Sequence, residues 1–326
     1  MTEARFTTSD GVTLAVTERG RDDTDVCAVL LHGWTEDGSV WDDVAARLGD
    51  TMRVLALDLR GHGDSDPAPR GSATLDRLAD DVAELLAARV PEGRVVLAGH
   101  SMGGMTMMAL AERHPDVVEQ RVSGAVFVAT SAGQMRDVMS RMPAPIAAAD
   151  RWRRRLARRK SAGATVSGAA TERRASSRPT SPTSTSTPTS ARSRATARGA
   201  LPVPSKRLSS YILRAVVFGE NADSAHVRAA VEQCARAHRG SAAGFNHSIM
   251  THDRAAALCA FAGVPTAVLV GDRDRLTPPS HAHAIADELP NAEFVLFAGA
   301  GHMLPYERPD GVAAAIRTVV AQPATP

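Results

Sequence analysis

The 326-residue sequence predicts an α/β fold: a mostly parallel, eight-stranded sheet with helices on both faces, carrying an inserted and atypical segment. Two observations predict the sheet. Short apolar, β-rich runs alternate with helical patterns through the first half of the chain, and the same alternation resumes in the last third. A third observation predicts the interruption. Between the two halves lies a stretch of Arg, Ser, Thr, Pro and Ala that shares the pattern of neither.

Taken in order, Arg5–Ser9 and Thr13–Arg19 flank Asp10-Gly11, a hairpin signal. Val26–Leu31, Arg53–Leu57, Arg94–Ala98 and Val122–Ala129 are apolar runs bounded by glycine or polar turns, as suits strands buried on both faces. Val40–Leu48, Leu75–Arg89 and Met102–Arg113 read as the intervening helices. Leu75, Leu78, Val82, Leu85 and Leu86 recur at three-to-four spacing behind Thr74, a suitable N-cap. Helical character returns at Leu208 and again over Ala225–His238. Pro265–Val270 and Glu293–Phe297 then read as strands, and Ser280–Leu289 and Pro309–Val320 as helices. The expected organisation is a core formed by residues 1–134 and 246–326, with a cap or lid insertion over 135–245.

Apolar residues make up 44% of the chain but aromatics only 4%, so Ala, Val and Leu must fill most of the core. The N-terminus lacks the basic and apolar regions of a secretory signal, and no apolar run reaches the ~20 residues of a membrane helix. The expected location is cytoplasmic. Cys27, Cys234 and Cys259 show no metal-ligand spacing and read as small buried hydrophobes. The formal charge of +2 hides an asymmetry. Between Arg151 and Arg207 stand 15 basic residues and one acid, Glu172, so the remainder of the chain is net acidic.

Chemistry concentrates at Gly99-His100-Ser101-Met102-Gly103, a G-x-S-x-G pattern. Alone the pattern is weak evidence. Here it follows the apolar run Val95–Ala98 and opens a predicted helix, the strand–turn–helix context in which such a serine is held exposed. A serine hydroxyl needs a base, and the base an orienting acid. Asp274 and His302 each follow a predicted strand, in the chain order Ser, Asp, His, at the edge where open α/β sheets place their sites. Asp272, two residues before Asp274, is an alternative acid.

Together, Leu31-His-Gly-Trp34, Asp58-Leu-Arg-Gly-His-Gly-Asp-Ser65, Gly99-His-Ser-Met-Gly-Gly104, Gly271-Asp-Arg-Asp274 and Gly301-His302 resemble the α/β-hydrolase superfamily. The likeness is to its esterase, C–C hydrolase and cofactor-free haloperoxidase-like branch, over roughly residues 5–145 and 208–320. The resemblance implies that Ser101 attacks an acyl carbon, that His302 takes and returns the proton, and that Asp274 fixes the tautomer of His302. The family's Gly-x-x-Asp spacing favours Asp274 over Asp272. The resemblance also implies an oxyanion hole from the backbone N–H groups of Trp34 and Met102, no cofactor, no metal, and a small-molecule ester or acyl substrate. Serine rather than aspartate at position 101 argues against the epoxide hydrolases and haloalkane dehalogenases. Esterase, lactonase, thioesterase, C–C hydrolase and perhydrolase chemistry remain open, as does a non-catalytic ligand-binding relative.

Other candidates take plainer readings. His32, His62 and His100 are expected to be structural hydrogen-bonders, and Asp58–Ser65 to shape a turn. Met102, Met105, Met107 and Met108 are expected to pack a helix, with Met102 bordering the acyl pocket. His281 and His283, at a helix start, are expected to be solvated. The basic segment lacks interleaved aromatics and any recognised module, so neither nucleic acid nor a membrane is an expected partner. The resemblance places a helical cap here, yet residues 151–206 look nothing like cap helices. A disordered linker is one explanation. The other is a locally frame-shifted reading of a GC-rich gene, since moving the frame by two nucleotides turns Ser181–Ser190 into an acidic, apolar-periodic string. Resequencing the gene and its close homologues separates the two.

Overall fold

A computed structural model of the protein describes residues 2–21, 23–141 and 206–322. Strands β1 (Thr2–Thr7) and β2 (Thr13–Gly20) form the expected antiparallel hairpin, turned at Gly11 with φ +83°. Strands β3 (Val26–Leu31), β4 (Arg53–Leu57), β5 (Arg94–His100), β6 (Val122–Val128), β7 (Thr266–Gly271) and β8 (Glu293–Phe297) complete one eight-stranded sheet in the order β1-β2-β4-β3-β5-β6-β7-β8. β2 joins β4 antiparallel, and every pairing from β4 to β8 is parallel. The loops that follow β3 to β8 therefore emerge along one edge.

The helices cover both faces. Cys27, Val29 and Leu31 of β3 point into one apolar layer, while Val26, Ala28 and Leu30 point into the other, the period-two alternation of a strand buried on both sides. The first layer is closed by α2 (Leu75–Arg89) and α3 (Met102–Arg113), the second by α1 (Asp42–Leu48) and the C-terminal helix Pro309–Ala321. Thr74 caps α2 as expected, its side chain accepting from the Arg77 N–H. Short helices α4 (Pro115–Arg121) and α5 (Met135–Arg141) flank β6. Then come α6 (Lys206–Val217), α7 (Ser224–Arg236), α8 (Arg239–Thr251), α9 (Pro279–Glu288), α10 (Leu304–Glu307) and α11 (Pro309–Ala321). No helix among the described residues is long and apolar enough to cross a membrane.

α7 and α8 dock on loops at the carboxyl edge. Gln233 Nε2 donates to Asp37 Oδ1 and Ser39 Oγ at 3.0 and 2.8 Å, and the Leu75 N–H donates to Ser248 Oγ at 3.0 Å. α8 runs straight through the expected boundary between residues 245 and 246. The low-complexity segment over 151–206, with both explanations offered for it, lies outside the described residues, apart from Lys206 at the start of α6. Cys27 is buried as expected, and burial pushes its thiol up to about 12. Cys234 and Cys259 are exposed instead, the first on α7 with its Sγ 3.2 Å from Thr35 Oγ1, the other on the short helix Ala255–Phe261.

The turn Asp58–Ser65 after β4 is braced by Arg60, which is fully buried. All five of its N–H donors are used: two to Asp81, two to Asp10 and one to Ser72 Oγ, at 2.5–3.1 Å. Asp81, on α2, is also fully buried. Removing one partner of such a pair strands the other charge away from water, which typically costs about 3–5 kcal/mol. Asp81→Ala is accordingly expected to destabilise the fold by that amount, read as a lowered denaturant midpoint at unchanged m. A midpoint within error of wild type contradicts this role.

Candidate active site

Ser101 sits between the last residue of β5 and the first of α3, with φ +50° and ψ −113°. Non-glycine residues seldom adopt such a conformation, and it persists only where its surroundings impose it. Here the Ser101 N–H donates to the Val128 carbonyl at 3.0 Å, and Thr130 Oγ1 donates to the Ser101 carbonyl at 2.7 Å. The end of β6 thus grips the turn from both sides. Absence of side chains does the rest. A Cβ on Gly103 would lie 2.1 Å from the Leu31 carbonyl oxygen, and one on Gly99 would lie 2.5 Å from the backbone of Gly103 and Gly104. The sequence pattern requires small residues at these two positions, and the packing shows why.

Asp274 and His302 meet at the same edge. His302 Nδ1–H donates to Asp274 Oδ2 at 2.8 Å, with both side chains almost wholly buried. Asp274 also accepts from the Leu276 and Thr277 N–H groups at 2.8 and 2.9 Å and from Thr277 Oγ1 at 2.8 Å. An ionised carboxylate is acceptor-only, so this donor set fixes its orientation and leaves the proton on His302 Nδ1. Nε2 is then the free basic nitrogen. His302 is held in turn by its own N–H, which donates to the Val217 carbonyl at 2.8 Å. Asp272 does not compete for His302. Its Oδ1 accepts from the Gly299 N–H at 2.8 Å, which makes it a turn residue.

His302 lies beside the residue that precedes Ser101: the rings of His100 and His302 are 4.9 Å apart, and His100 Nε2–H donates to the His302 carbonyl at 2.9 Å. Among the described residues the Ser101 hydroxyl makes no hydrogen bond, to His302 or to any other group. Such bonds are often long in the unliganded state and tighten when substrate arrives. Met102 is buried at the first position of α3, where the N–H has no intrahelical acceptor. Trp34 lies in the turn Gly33–Glu36, closed by a bond from the Glu36 N–H to the Gly33 carbonyl at 3.3 Å. Neither the Trp34 nor the Met102 N–H donates to another described residue. The Trp34 indole donates to the Ala242 carbonyl of α8 at 3.0 Å.

The remaining histidines divide. His32 Nε2 accepts from the Leu59 N–H at 2.9 Å, and His62 Nδ1 lies 3.1 Å from the Arg60 carbonyl, structural roles in line with expectation. His281 departs from the expectation of a solvated side chain. Its Nδ1 is 2.7 Å from the buried hydroxyl of Ser131, and it is half-buried, because the loop after β6 passes over the first turn of α9. His283 is exposed, with its ring stacked on Phe294. Glu36, Thr130 and Thr277 belong to the site although the motifs did not single them out. For Thr277 a local signal exists, a hydroxyl three residues beyond the acid.

Two buried histidines near the site are neutral. His252 Nε2–H donates to the Ser131 carbonyl at 3.0 Å while its Nδ1 faces Arg254 Nη1 at 3.3 Å. Arginine only donates, so Nδ1 must accept. Burial, with the Arg254 charge, pushes His252 down to about 4, and burial pushes His62 down to about 3. Once unfolded, both regain the ordinary value near 6.5 and bind protons that the folded chain excludes. Stability should therefore be full above pH 6.5 and fall as the pH drops toward 4. The slope is about 1.4 kcal/mol per pH unit for each histidine. Denaturant midpoints between pH 7.5 and 4.5 test this, with His252→Gln expected to flatten the profile; equal slopes in the two proteins contradict it.

A family model described as alpha/beta hydrolase fold matches residues 29–309. A 2-(acetamidomethylene)succinate hydrolase of Mesorhizobium japonicum is 34% identical over 112 residues, which are 34% of this chain and 38% of that protein. A pimeloyl-[acyl-carrier protein] methyl ester esterase of Chromobacterium violaceum is 41% identical over 109 residues, 33% of this chain and 39% of that protein. The match thus spans about two-fifths of the length of these relatives. Among solved structures, a thermophilic esterase from Thermogutta terrifontis superposes with a TM-score of 0.68 at 24% identity, over 98% of each chain. An enol-lactonase from Burkholderia xenovorans does so with a TM-score of 0.67 at 20% identity, over 98% of this chain and 100% of that one. These two likenesses concern the fold.

Proposed function

Because this chain belongs to the α/β-hydrolase family, we propose that it is a serine hydrolase that cleaves a carboxylic ester, or a related acyl bond of a small molecule, through an acyl-enzyme. One observation carries the reading. A strained serine, a buried His302–Asp274 pair and two N–H groups with no partner among the described residues converge on one sheet edge. In this reading Ser101 Oγ attacks the acyl carbon as its proton passes to His302 Nε2. The negative charge that develops on the acyl oxygen is met by the Trp34 and Met102 N–H groups. A donor of this kind typically contributes about 3–4 kcal/mol to the transition state. His302 then returns the proton to the leaving alcohol. Water, deprotonated by the same nitrogen, releases the acid and restores Ser101. Asp274 stays ionised throughout and stabilises the imidazolium that forms. No cofactor or metal has a part in this cycle.

The helices α6 to α8, which dock on the loops around the site, support a cap over the acyl pocket drawn from the insertion at 135–245, and a cytoplasmic location fits the reading. Esterase chemistry is preferred because methyl ester esterases recur among the relatives. The test combines a fluorophosphonate probe with a panel of p-nitrophenyl esters, thioesters and lactones. Covalent labelling and ester turnover are expected in the wild type. Absence of both in folded protein overturns the proposal.

A further inference from the structure

Glu36 and His100 lie beneath the proposed site, and no step of the proposed reaction uses them. Both are buried, and their bonds run to three different loops. Glu36 Oε2 accepts from the Gly33 N–H at 2.7 Å, across the turn that carries Trp34. The same oxygen is 2.9 Å from His100 Nδ1. His100, the residue before Ser101, spends its other ring N–H on the His302 carbonyl at 2.9 Å.

Both partners of the His100 ring are acceptors, one a carboxylate and one a carbonyl, so both ring nitrogens carry protons and the ring is an imidazolium. The electrostatics agree. Burial pushes His100 down, but the Glu36 charge and hydrogen bond outweigh it and leave His100 above its ordinary value. Burial pushes Glu36 up, and the His100 charge and hydrogen bond bring it below its ordinary value.

The turn itself needs holding. Thr35 has φ +65°, a left-handed conformation that a β-branched residue adopts at a cost. A Cβ on Gly33 would lie 2.7 Å from Glu36 Oε1, so any side chain there has to displace the carboxylate. The glycine makes room for the carboxylate, and the carboxylate then pins the glycine's N–H. A buried ion pair adds little to stability over an apolar pair of the same volume, since desolvation consumes most of the attraction. What this pair supplies is a fixed separation between three backbones.

We propose that Glu36 and His100 act as one positioning pair, holding the turn that bears the Trp34 N–H and the loop that bears His302 in register with the nucleophile turn. The inference rests on the serine hydrolase reading. Displacement of an oxyanion donor or of the base by a fraction of an ångström lowers the rate of the chemical step more than it alters ground-state binding. The pair should therefore appear in kcat rather than in KM.

The experiment uses the full-length protein and p-nitrophenyl ester turnover. Glu36→Gln and His100→Gln are each expected to lower kcat by about 10–100-fold, with KM within about twofold, and to slow fluorophosphonate labelling of Ser101 to match. The double variant should fall no more than about twofold below the slower single one, because either change dissolves the same unit. Glu36→Asp keeps the charge but withdraws it by one methylene, and is expected to remain slow. Unchanged kcat in folded single variants, whatever their Tm, overturns the proposal. So do losses that multiply in the double variant, or recovery of kcat in Glu36→Asp. Ser101→Ala separates the two levels. If it abolishes labelling while the pair variants keep full kcat, only the pair's role fails; if it turns over ester like wild type, the hydrolase reading fails with it.

Discussion

Ser101→Ala is expected to lower ester kcat by about 10⁵–10⁶-fold, to the residual rate that binding and an intact oxyanion hole supply without a nucleophile. The fold should survive. The turn is imposed by the Val128 carbonyl, by Thr130 and by the close packing of Gly99 and Gly103, none of which involves the hydroxyl. Alanine still has to occupy φ +50°, as serine already does. A Tm within a few degrees of wild type, together with absent fluorophosphonate labelling, is the complete expected signature. Labelling of Ser101→Ala at the wild-type rate places the nucleophile elsewhere and contradicts the assignment.

Asp274→Asn is expected to cost about 10⁴-fold in kcat. The substitution is nearly isosteric and can still accept from the Leu276 and Thr277 N–H groups, so the loop after β7 should hold its shape. What changes is the proton inventory. An amide nitrogen turned toward His302 donates where the carboxylate accepted, which drives the ring to keep its proton on Nε2 and removes the base facing Ser101. The imidazolium formed during attack also loses its counter-charge. Single-turnover acylation should slow in parallel with kcat. Activity within tenfold of wild type excludes Asp274 as the orienting acid. Asp272→Asn is the control and should leave kcat nearly unchanged, because its carboxylate serves the Gly299 N–H.

The sheet and the placement of Ser101, Asp274 and His302 at its carboxyl edge were legible in the sequence because their signals are local. Alternating apolar runs mark strands buried on both faces, and the glycines around Ser101 mark close backbone approach within a few residues. Asp274 and His302 each stand directly after a strand. Where a signal depends on distant partners, legibility fails. Glu36 is an unremarkable turn acid until β5 brings His100 to it across 64 residues of chain. His281 reads as a solvated first-turn residue because Ser131, 150 positions away, is what buries it. Helix α8, with glycines at 240 and 244, has poor intrinsic propensity and is fastened from outside by Trp34, Ala68 and Leu75. Exposure of Cys234 and Cys259 went unforeseen because a cysteine on a helix carries no mark of the face it occupies.

β6 and β7 are neighbours in the sheet, joined in parallel from Ala125 to Val128, yet residues 129–265 separate them in the chain. Bringing two strand ends together across a long connection carries an entropy that grows only with the logarithm of its length. Halving or doubling this stretch changes the closure term by about 0.6 kcal/mol. The sheet is therefore nearly indifferent to how many residues leave after Val128 and return at Thr266. Selection can act on the length of the excursion's interior, between residues 141 and 206, at little cost in closure entropy, while Thr130 and Val217 on either side hold Ser101 and His302. A basic, low-complexity segment and an acidic, well-packed host coexist in one chain because the junction between them is thermodynamically inexpensive.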